Sequence, residues 1–170
     1  MAGGDRARFR FSGDRFDAAP AVVDLHGDYY WRHWHFGPHF AEKVRIELLS
    51  FLARFDPARD LFLTAWDDDR LAGTITLDVI GGKDEGAHLR WFIVAEDCHG
   101  LGLGAALMDR ALAHNAAVRG GGPIWLTTFA GLDSARALYE KAGFTMVEER
   151  ASDQWQGGVT EQVFVRGRKP

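Results

Sequence analysis

Cysteine is almost absent from this sequence, in which Cys98 is the single cysteine among 170 residues. An intrachain disulfide is therefore excluded, and this composition is typical of proteins that work in a reducing compartment. A chain of this length can bury about 70% of the surface that its unfolded form exposes, so it can form a core without disulfides or metal ions. We therefore expect one globular domain.

Long apolar runs and clustered basic charge are also missing. No run approaches the roughly 18 apolar residues of a membrane span, and residues 1–15 lack the apolar stretch of a signal peptide. The 20 Lys+Arg and 24 Asp+Glu give a net charge of -4, and the arginines are scattered along the chain. A nucleic-acid groove needs basic residues on one face, so we expect no nucleic-acid partner. Because a membrane span and a signal peptide are missing, we also expect a cytoplasmic protein with no membrane partner.

The sequence does contain an ordered series of helical and strand patterns. Two helical patterns with apolar residues at intervals of three and four cover residues 21–36 and 38–55, and Pro38 suits the first turn of the second helix. They are followed by the strands LFLTAW and LAGTITLDVI around the turn DDDR, the strand AHLRWFIVA, an alanine-rich helix, the strand IWLTTF, a helix from Asp133 to Ala142, and the strands FTMVEER and VTEQVFVR. Asp133 is expected to cap that last helix.

This order of elements predicts an α/β (α+β) domain with three layers, in which helices flank a mixed sheet. Residues 1–20 contain few apolar anchors, so they are expected to form a loosely ordered leader with room for a first strand. Residues 21–170 are expected to form a single domain.

Three alternate glycines, Gly100, Gly102 and Gly104, lie between a strand pattern and a helix pattern. Glycine allows consecutive backbone N–H groups to point at one anion, and a helix N-terminus adds partial positive charge, so the loop suits phosphate binding. An ordinary strand-to-helix turn is the alternative. A phosphate-binding P-loop would need Lys and Ser or Thr where Ala105 and Ala106 stand, and the dinucleotide motif would need glycine at Ala105.

The run VAEDCHGLGLG resembles motif A of the GNAT superfamily of N-acetyltransferases. The signature of that motif is Arg or Gln, two residues, Gly, one residue, then Gly or Ala, and here it falls on His99, Gly102 and Gly104. Downstream, DSARALYEKAGF resembles the second signature of the family, and the resemblance covers about residues 21–166. Two departures are His99, where the family has Arg or Gln, and Leu132, where it often has Asn. A side-chain contact from position 132 to the cofactor is lost by the second change.

Several shorter segments are similar to the acetyltransferase half of proteins that fuse this domain to a MarR-type DNA-binding domain. They are LRWFIV, AGLDSARALYEKAGF, HGDYY and TEQVF. No winged helix fits in this chain, so the resemblance implies a free-standing relative of those domains.

The resemblance implies a GNAT-like three-layer fold with a mostly antiparallel central sheet. It also implies transfer of the acetyl group of acetyl-CoA, as co-substrate and without a metal, to a primary amine of a small molecule by direct attack. The residues expected to contact acetyl-CoA are Phe92, Ile93, Val94, His99, Gly100, Leu101, Gly102, Leu103, Gly104 and Ala105.

Acetyl transfer to an amine needs a proton donor for the leaving thiolate and a base for the amine. The resemblance places Tyr139 beside the cofactor sulfur as general acid; the alternative is a core aromatic. In the family, the general base often lies at the start of the strand before the glycine loop. The resemblance therefore points to His88 as the base, with Glu85 and Glu96 as weaker candidates. His88 can equally be a strand-end residue without a catalytic part. Cys98 and His99 are adjacent and so point apart, which disfavours covalent catalysis.

The first helices of the family form one wall of the acceptor pocket, which suggests Tyr29, Tyr30, Trp34 and Phe36 as lining residues. The alternative is that these aromatics are core. Arg90 is a candidate partner for a substrate carboxylate. The spacing of His33, His35 and His39 is wrong for a metal site on one rigid element.

The sequence leaves two other functions open. They are acetylation of protein lysines or N-termini, and non-catalytic binding of acetyl-CoA. Retention of Tyr139 disfavours the second. Exposed edge strands near the C-terminus would also permit a homodimer.

Overall fold

The computed structural model describes residues 8–80, 86–152 and 158–167. The helices and strands follow the order that the sequence predicts. They are β1 (Arg10–Ser12), α1 (Ala19–Trp34), α2 (Pro38–Ala53), β2 (Leu61–Asp67), β3 (Arg70–Asp78), β4 (Ala87–Val94), α3 (Leu103–Arg119), β5 (Ile124–Phe129), α4 (Asp133–Lys141), β6 (Thr145–Ser152) and β7 (Val159–Arg166).

The seven strands form one sheet in the order β1-β2-β3-β4-β5-β7-β6. Every neighbouring pair is antiparallel except β4 and β5, which are parallel. Helices cover both faces, so the predicted fold class, a mixed and mostly antiparallel sheet flanked by helices, is confirmed. No helix in the described ranges is long and apolar enough to cross a membrane.

Two apolar clusters lie on opposite faces of the sheet, because side chains alternate along each strand. Leu63 and Ala65 of β2 join the cluster that contains Leu107 of α3, whereas Phe62 and Trp66 join the other. That second cluster contains the buried side chains of α1 and α2. The α3–α4 face and the α1–α2 face are therefore separated by the sheet.

The parallel strands β4 and β5 pair over only two residue pairs. Ala87 pairs with Ile124 and His88 pairs with Trp125, although β4 continues to Val94 and β5 to Phe129. The two strands therefore separate after His88, and the sheet opens between them.

A bulge interrupts β4 just beyond this point. Thr76 pairs with Arg90 and Thr74 pairs with Ile93, so Trp91 and Phe92 together lie opposite one residue of β3. Trp91 has a φ of 45°, which is uncommon for a bulky side chain. Because of this bulge, Arg90 and Trp91 both face α2, and Phe92 packs in the cluster on the α3–α4 face.

The predicted cap of α4 was wrong. The helix begins at Asp133, and Leu132 occupies the N-cap position without a side-chain hydrogen bond. Asp133 lies inside the first turn. Its carboxylate interacts favourably with the positive end of the helix dipole there, without capping an N–H group.

Candidate active site

A cavity of about 920 Å³ lies where β4 and β5 separate. It is lined by residues 88–94 of β4, the loop that leads into α3, residues 126–129 of β5 and the start of α4. Side chains of α1 and α2 line its other side. The cavity therefore connects the two faces of the sheet, and its volume suits a substrate-sized ligand.

Among the described residues, the edge of β4 that faces β5 has no strand partner beyond His88. Backbone N–H and C=O groups along such an edge are available to an extended ligand. Phe92, Ile93 and Val94 line the cavity here. The carbonyl of Val94 is already occupied, since Nε2 of His99 donates to it at 2.9 Å.

The glycine loop joins this edge to α3. Gly100 and Gly102 both have a φ of 77°, the left-handed conformation that favours glycine, and a Cβ at either position would meet open space. Gly102 is the N-cap residue of α3. The N–H groups of the first helical turn lack partners within the helix, and Leu103, Gly104 and Ala105 of that turn line the cavity. The loop is therefore suited to a phosphate group.

His99 stands in this loop where Arg or Gln was the expected residue type. A carbonyl only accepts hydrogen bonds, so the proton of the His99 ring lies on Nε2 in its contact with Val94. The imidazole therefore ties the loop to the end of β4. Leu132, the second departure, also lines the cavity at the start of α4.

Tyr139 is on α4 and is 5% exposed. Its ring packs against those of Phe92, Phe144 and Phe164, with centroids 6.0, 6.0 and 5.9 Å away. Its hydroxyl makes no hydrogen bond within the described part of the chain, and the residue lines the cavity. Burial raises the pKa of Tyr139 well above its usual range, so the phenol stays protonated at physiological pH and its O–H can donate a hydrogen bond.

Tyr30 of α1 lies near Tyr139 across the cavity. Burial raises the pKa of Tyr30, and repulsion from Tyr139 and then from Tyr29 adds to this effect. The two faces of the sheet therefore contribute neighbouring phenols to one space.

His88 lies on β4, at the base of the opening between β4 and β5. Its ring stacks flat on Trp125, with centroids 3.7 Å apart and an interplanar angle of 8°. Burial, and then the charge of Arg90, lower the pKa of His88 to about 3, against an opposing effect of Asp78. The imidazole is therefore neutral at physiological pH and is a weak proton acceptor.

The two weaker base candidates differ in what can be said of them. Glu85 lies outside the described residues. Glu96 lines the cavity, and its carboxylate accepts hydrogen bonds from His33 and from Arg32, the latter at 2.6 Å. These hydrogen bonds, that of His33 first, lower the pKa of Glu96.

Arg90 lines the cavity but is held by protein carboxylates. It donates to Glu47 of α2, its Nη1 lies 3.7 Å from Oδ2 of Asp78, and its guanidinium lies 4.2 Å from the Trp91 ring centroid. A substrate carboxylate would therefore have to compete with Glu47 and Asp78 for this side chain.

The aromatic candidates separate into two groups. Tyr29 and Tyr30 line the cavity. Trp34 and Phe36 are not among the lining residues and instead pack against Phe129, with centroids 5.9 and 5.6 Å away. These two side chains support the wall from behind.

The lining residues that were not singled out from the sequence include three titratable ones: His26 of α1, Glu47 of α2 and Glu161 of β7. His26 belongs to the helical stripe that predicted α1, and Glu161 lies within the segment TEQVF. Glu161 pairs in register with Phe129, its side chain is 13% exposed, and its Oε2 lies 3.5 Å from Nε of Arg150. The sequence could have indicated these positions but not that they meet in one cavity.

Neither a metal site nor a reactive cysteine is assembled within the described ranges. No three His, Cys, Asp or Glu residues there are grouped closely enough to hold a metal ion. Cys98 is buried, and burial raises the pKa of its thiol. The ring of His99 is bonded to Val94, so it does not activate Cys98.

Comparison with known proteins gives one family match and a curated relative. A family model described as the Acetyltransferase (GNAT) family matches residues 22–144. The mycothiol acetyltransferase of Geodermatophilus obscurus is 39% identical over 97 residues, which are 54% of this chain and 30% of that relative. The match therefore spans about a third of the relative's length.

Solved structures share this fold at low sequence identity. A chimeric spermidine N-acetyltransferase from Vibrio cholerae and hSSAT has a TM-score of 0.68 at 15% identity, over 94% of this chain and 95% of that one. An acetyltransferase from Streptococcus agalactiae has a TM-score of 0.72 at 18% identity, over 94% and 98%. The Salmonella typhimurium protein yncA, solved with its cofactor acetyl-CoA, has a TM-score of 0.72 at 13% identity, over 93% and 92%.

Proposed function

The chain belongs to the GNAT family of acetyltransferases, whose acyl donor is acetyl-CoA, and on that premise we propose that it acetylates a primary amine of a small molecule by direct attack, with Tyr139 as general acid. One observation carries this proposal. The glycine loop, the unpaired edge of β4 and the unbonded hydroxyl of Tyr139 line the same cavity.

The fit of acetyl-CoA to this cavity rests on backbone geometry. The left-handed glycines Gly100 and Gly102 leave open space where side chains would stand, and the first turn of α3 offers unpaired N–H groups to the pyrophosphate. The edge of β4 from Phe92 to Val94 offers backbone groups to the extended pantetheine arm, apart from the Val94 carbonyl that accepts a hydrogen bond from His99. Both departures from the family motif are compatible with these backbone contacts.

Tyr139 supplies the proton that the leaving thiolate needs. The amine nitrogen attacks the thioester carbonyl, the C–N bond forms, and the C–S bond then breaks as the phenol protonates the sulfur. The high pKa of Tyr139 keeps the donor protonated before the step. Its packing against Phe92 and Phe144 fixes the direction of the hydroxyl.

Removal of the amine proton falls to water in this proposal. His88 lines the cavity, but with a pKa of about 3 its ring holds a proton too weakly to act as an efficient base. Its neutral ring can still accept a hydrogen bond from the water that carries the proton away. We therefore keep His88 as a catalytic candidate in this indirect role.

In this proposal, Tyr29 and Tyr30 form the wall of the cavity that contacts the substrate. Trp34 and Phe36 pack against Phe129 behind that wall and support it. A small-molecule acceptor is supported by the enclosed side of the cavity under α1 and α2, and by the name of the mycothiol acetyltransferase relative. Arg90 stays a candidate for a substrate carboxylate only if that group displaces Glu47.

Two further proposals concern the nearest relatives of this domain and its oligomeric state. The segments LRWFIV and TEQVF support kinship with the acetyltransferase half of MarR-type fusions. A homodimer through β6 is supported by its position at the edge of the sheet and by Val147, whose surface is 58% exposed.

A thiol-release assay with acetyl-CoA tests the proposed reaction. Small primary amines and a parallel set of histone-like and N-terminal peptides are supplied as acceptors, with acetyl-CoA hydrolysis without acceptor as the control. We expect release of CoA to depend on a small amine and the product to carry an acetyl group by mass spectrometry. Reaction with the peptides alone would overturn the small-molecule assignment.

A further inference from the structure

One face of α1 presents four polar aromatic side chains to the cavity: His26, Tyr29, Tyr30 and His33. Two of them are already engaged by the protein. His33 is hydrogen bonded to Glu96, and the hydroxyl of Tyr29 accepts a hydrogen bond from the indole of Trp34. His26 and Tyr30 also line the cavity, and no described residue is hydrogen bonded to Nε2 of His26 or to the hydroxyl of Tyr30.

His26 is 5% exposed and is fixed in one tautomer. Its Nδ1 lies 2.8 Å from the carbonyl oxygen of Val22, one turn earlier in α1. Because a carbonyl only accepts, Nδ1 carries the proton, and Nε2 is a bare acceptor at the opposite side of the ring. No described residue donates a hydrogen bond to Nε2.

The chemistry of a group that could meet Nε2 is narrow. Burial lowers the pKa of His26 to about 4, so the ring is neutral at physiological pH. A neutral acceptor does not attract a carboxylate or a phosphate, but it pairs well with a neutral hydroxyl or amide N–H. A buried acceptor that is left without a donor is costly, so its presence discriminates between substrates.

We propose that His26 is a specificity-determining residue that accepts, at Nε2, a hydrogen bond from a hydroxyl or amide N–H of the acceptor substrate. This inference rests on the proposed function and names the substrate class as small amines that carry such a neutral donor group beside the reacting amine. The neighbouring hydroxyl of Tyr30 offers a second hydrogen bond to the same group.

Matched pairs of amines test this assignment. Ethanolamine is compared with propylamine, glycinamide with isobutylamine, and the best substrate of the amine screen with its analogue lacking the hydroxyl or amide. We expect the donor-bearing member to have a kcat/KM about tenfold or more above its partner, because the loss of a hydrogen bond to a buried acceptor is of this size. Equal kcat/KM values within all pairs would overturn the assignment.

Variants of His26 show whether this residue causes the preference. His26→Phe keeps the ring and removes the acceptor, so the preference should fall to near one while the Kd for acetyl-CoA stays unchanged. His26→Gln restores an acceptor and should recover part of the preference. His33→Phe is the matched control on the same helix face and should keep it, since His33 is engaged by Glu96. A preference that survives in His26→Phe would contradict the proposal.

A second measurement does not depend on turnover. In ¹⁵N-histidine spectra of the whole protein with CoA, His26 should show a protonated Nδ1 and an unprotonated Nε2 whose resonance moves when ethanolamine or glycinamide is added. Propylamine and isobutylamine should not move it. If amines react but Nε2 never responds, the assignment of His26 fails and the proposed function stands. If no amine reacts, the proposed function fails and the response of Nε2 alone decides the assignment.

Discussion

At the scale of single residues, Tyr139 owes its proposed role to its surroundings. Three aromatic rings pack around it and no described group bonds its hydroxyl, so the phenol stays protonated and its O–H can hydrogen bond the sulfur on which negative charge develops. The sequence predicted the helix that carries this tyrosine. Its burial could not be derived from the sequence, because Phe92 and Phe164 come from distant strands.

Replacement of Tyr139 by Phe removes one oxygen atom and preserves the packing of the ring. We expect kcat to fall at least about tenfold, since general acid catalysis contributes this much or more. The Kd for acetyl-CoA should change little, because no backbone contact is touched. Steady-state kinetics and calorimetry separate the two effects, and an unchanged kcat would remove Tyr139 from the mechanism.

The sequence makes His88 a candidate general base, and the low pKa of its ring determines how that role can be tested. With a pKa of about 3, the ring completes its titration below the range in which the enzyme is assayed. We therefore expect His88→Phe, which can still stack on Trp125, to lower kcat while the shape of the pH–rate profile around neutrality stays the same. Loss of a limb of the profile near neutral pH would show that His88 titrates there and is the base.

The carboxylate partners of Arg90 could not be predicted from the sequence. The sequence made Arg90 a candidate for a substrate carboxylate, because an arginine on the sheet can pair with such a group. Glu47, its main partner, lies on a different element 43 residues away, and Asp78 is held in place by Arg54 at 2.6 Å. Such long-range pairing depends on the packing of α2 over the sheet, which no local pattern encodes.

At the scale of elements, α3 joins the proposed phosphate site to the rest of the fold. Its two ends have the same backbone feature. Gly102 at the N-cap has a φ of 77° and Gly120 at the C-cap has a φ of 63°, and a Cβ at either would meet no atom within 4 Å. The two positions therefore differ mainly in whether they border the cavity.

Alanine at each of these glycines separates backbone strain from ligand binding. Gly102→Ala and Gly120→Ala should each lower the free energy of unfolding by about 1–2 kcal/mol, the cost of a left-handed conformation for a residue with a Cβ. Only Gly102→Ala should weaken acetyl-CoA binding, by at least severalfold. Urea denaturation and calorimetry measure the two effects, and equal loss of affinity in both variants would contradict the role of the loop.

The elements themselves were predictable, and the geometry between them was not. The period of apolar residues gave the helices, and glycine and proline marked their ends, because these signals are local. The segment LRWFIV reads as an uninterrupted strand, yet Trp91 adopts a positive φ and Phe92 shares its place opposite β3. That bulge, like the separation of β4 from β5, is set by the neighbouring strands and helices.

At the scale of the whole molecule, the buried His26 and the partly buried His88 link stability to pH. The pKa of His26 is lowered from 6.5 to about 4 and that of His88 from 6.5 to about 3, in both cases first by burial. Below the ordinary value, the unfolded chain binds protons that the folded chain does not. Their contribution is therefore complete above pH 6.5 and is lost as the pH falls toward these lowered values.

The free energy of unfolding should accordingly fall on acidification by up to about 1.4 kcal/mol per pH unit for each of these histidines. Urea denaturation at a series of pH values from neutral downward measures this slope. The double variant His26→Phe, His88→Phe should flatten it, whereas His39→Gln, at an exposed position, should not. The same slope in the double variant would show that other groups cause the acid sensitivity.

The central claim is that this fold binds acetyl-CoA through the glycine loop of α3 and the open edge of β4. Calorimetric titration of the purified protein with acetyl-CoA, with ATP and NAD as controls, tests it most directly. The account predicts micromolar binding of acetyl-CoA and no comparable binding of ATP or NAD, despite His99 and Leu132. Absence of binding by acetyl-CoA, or equal binding of all three, would contradict it.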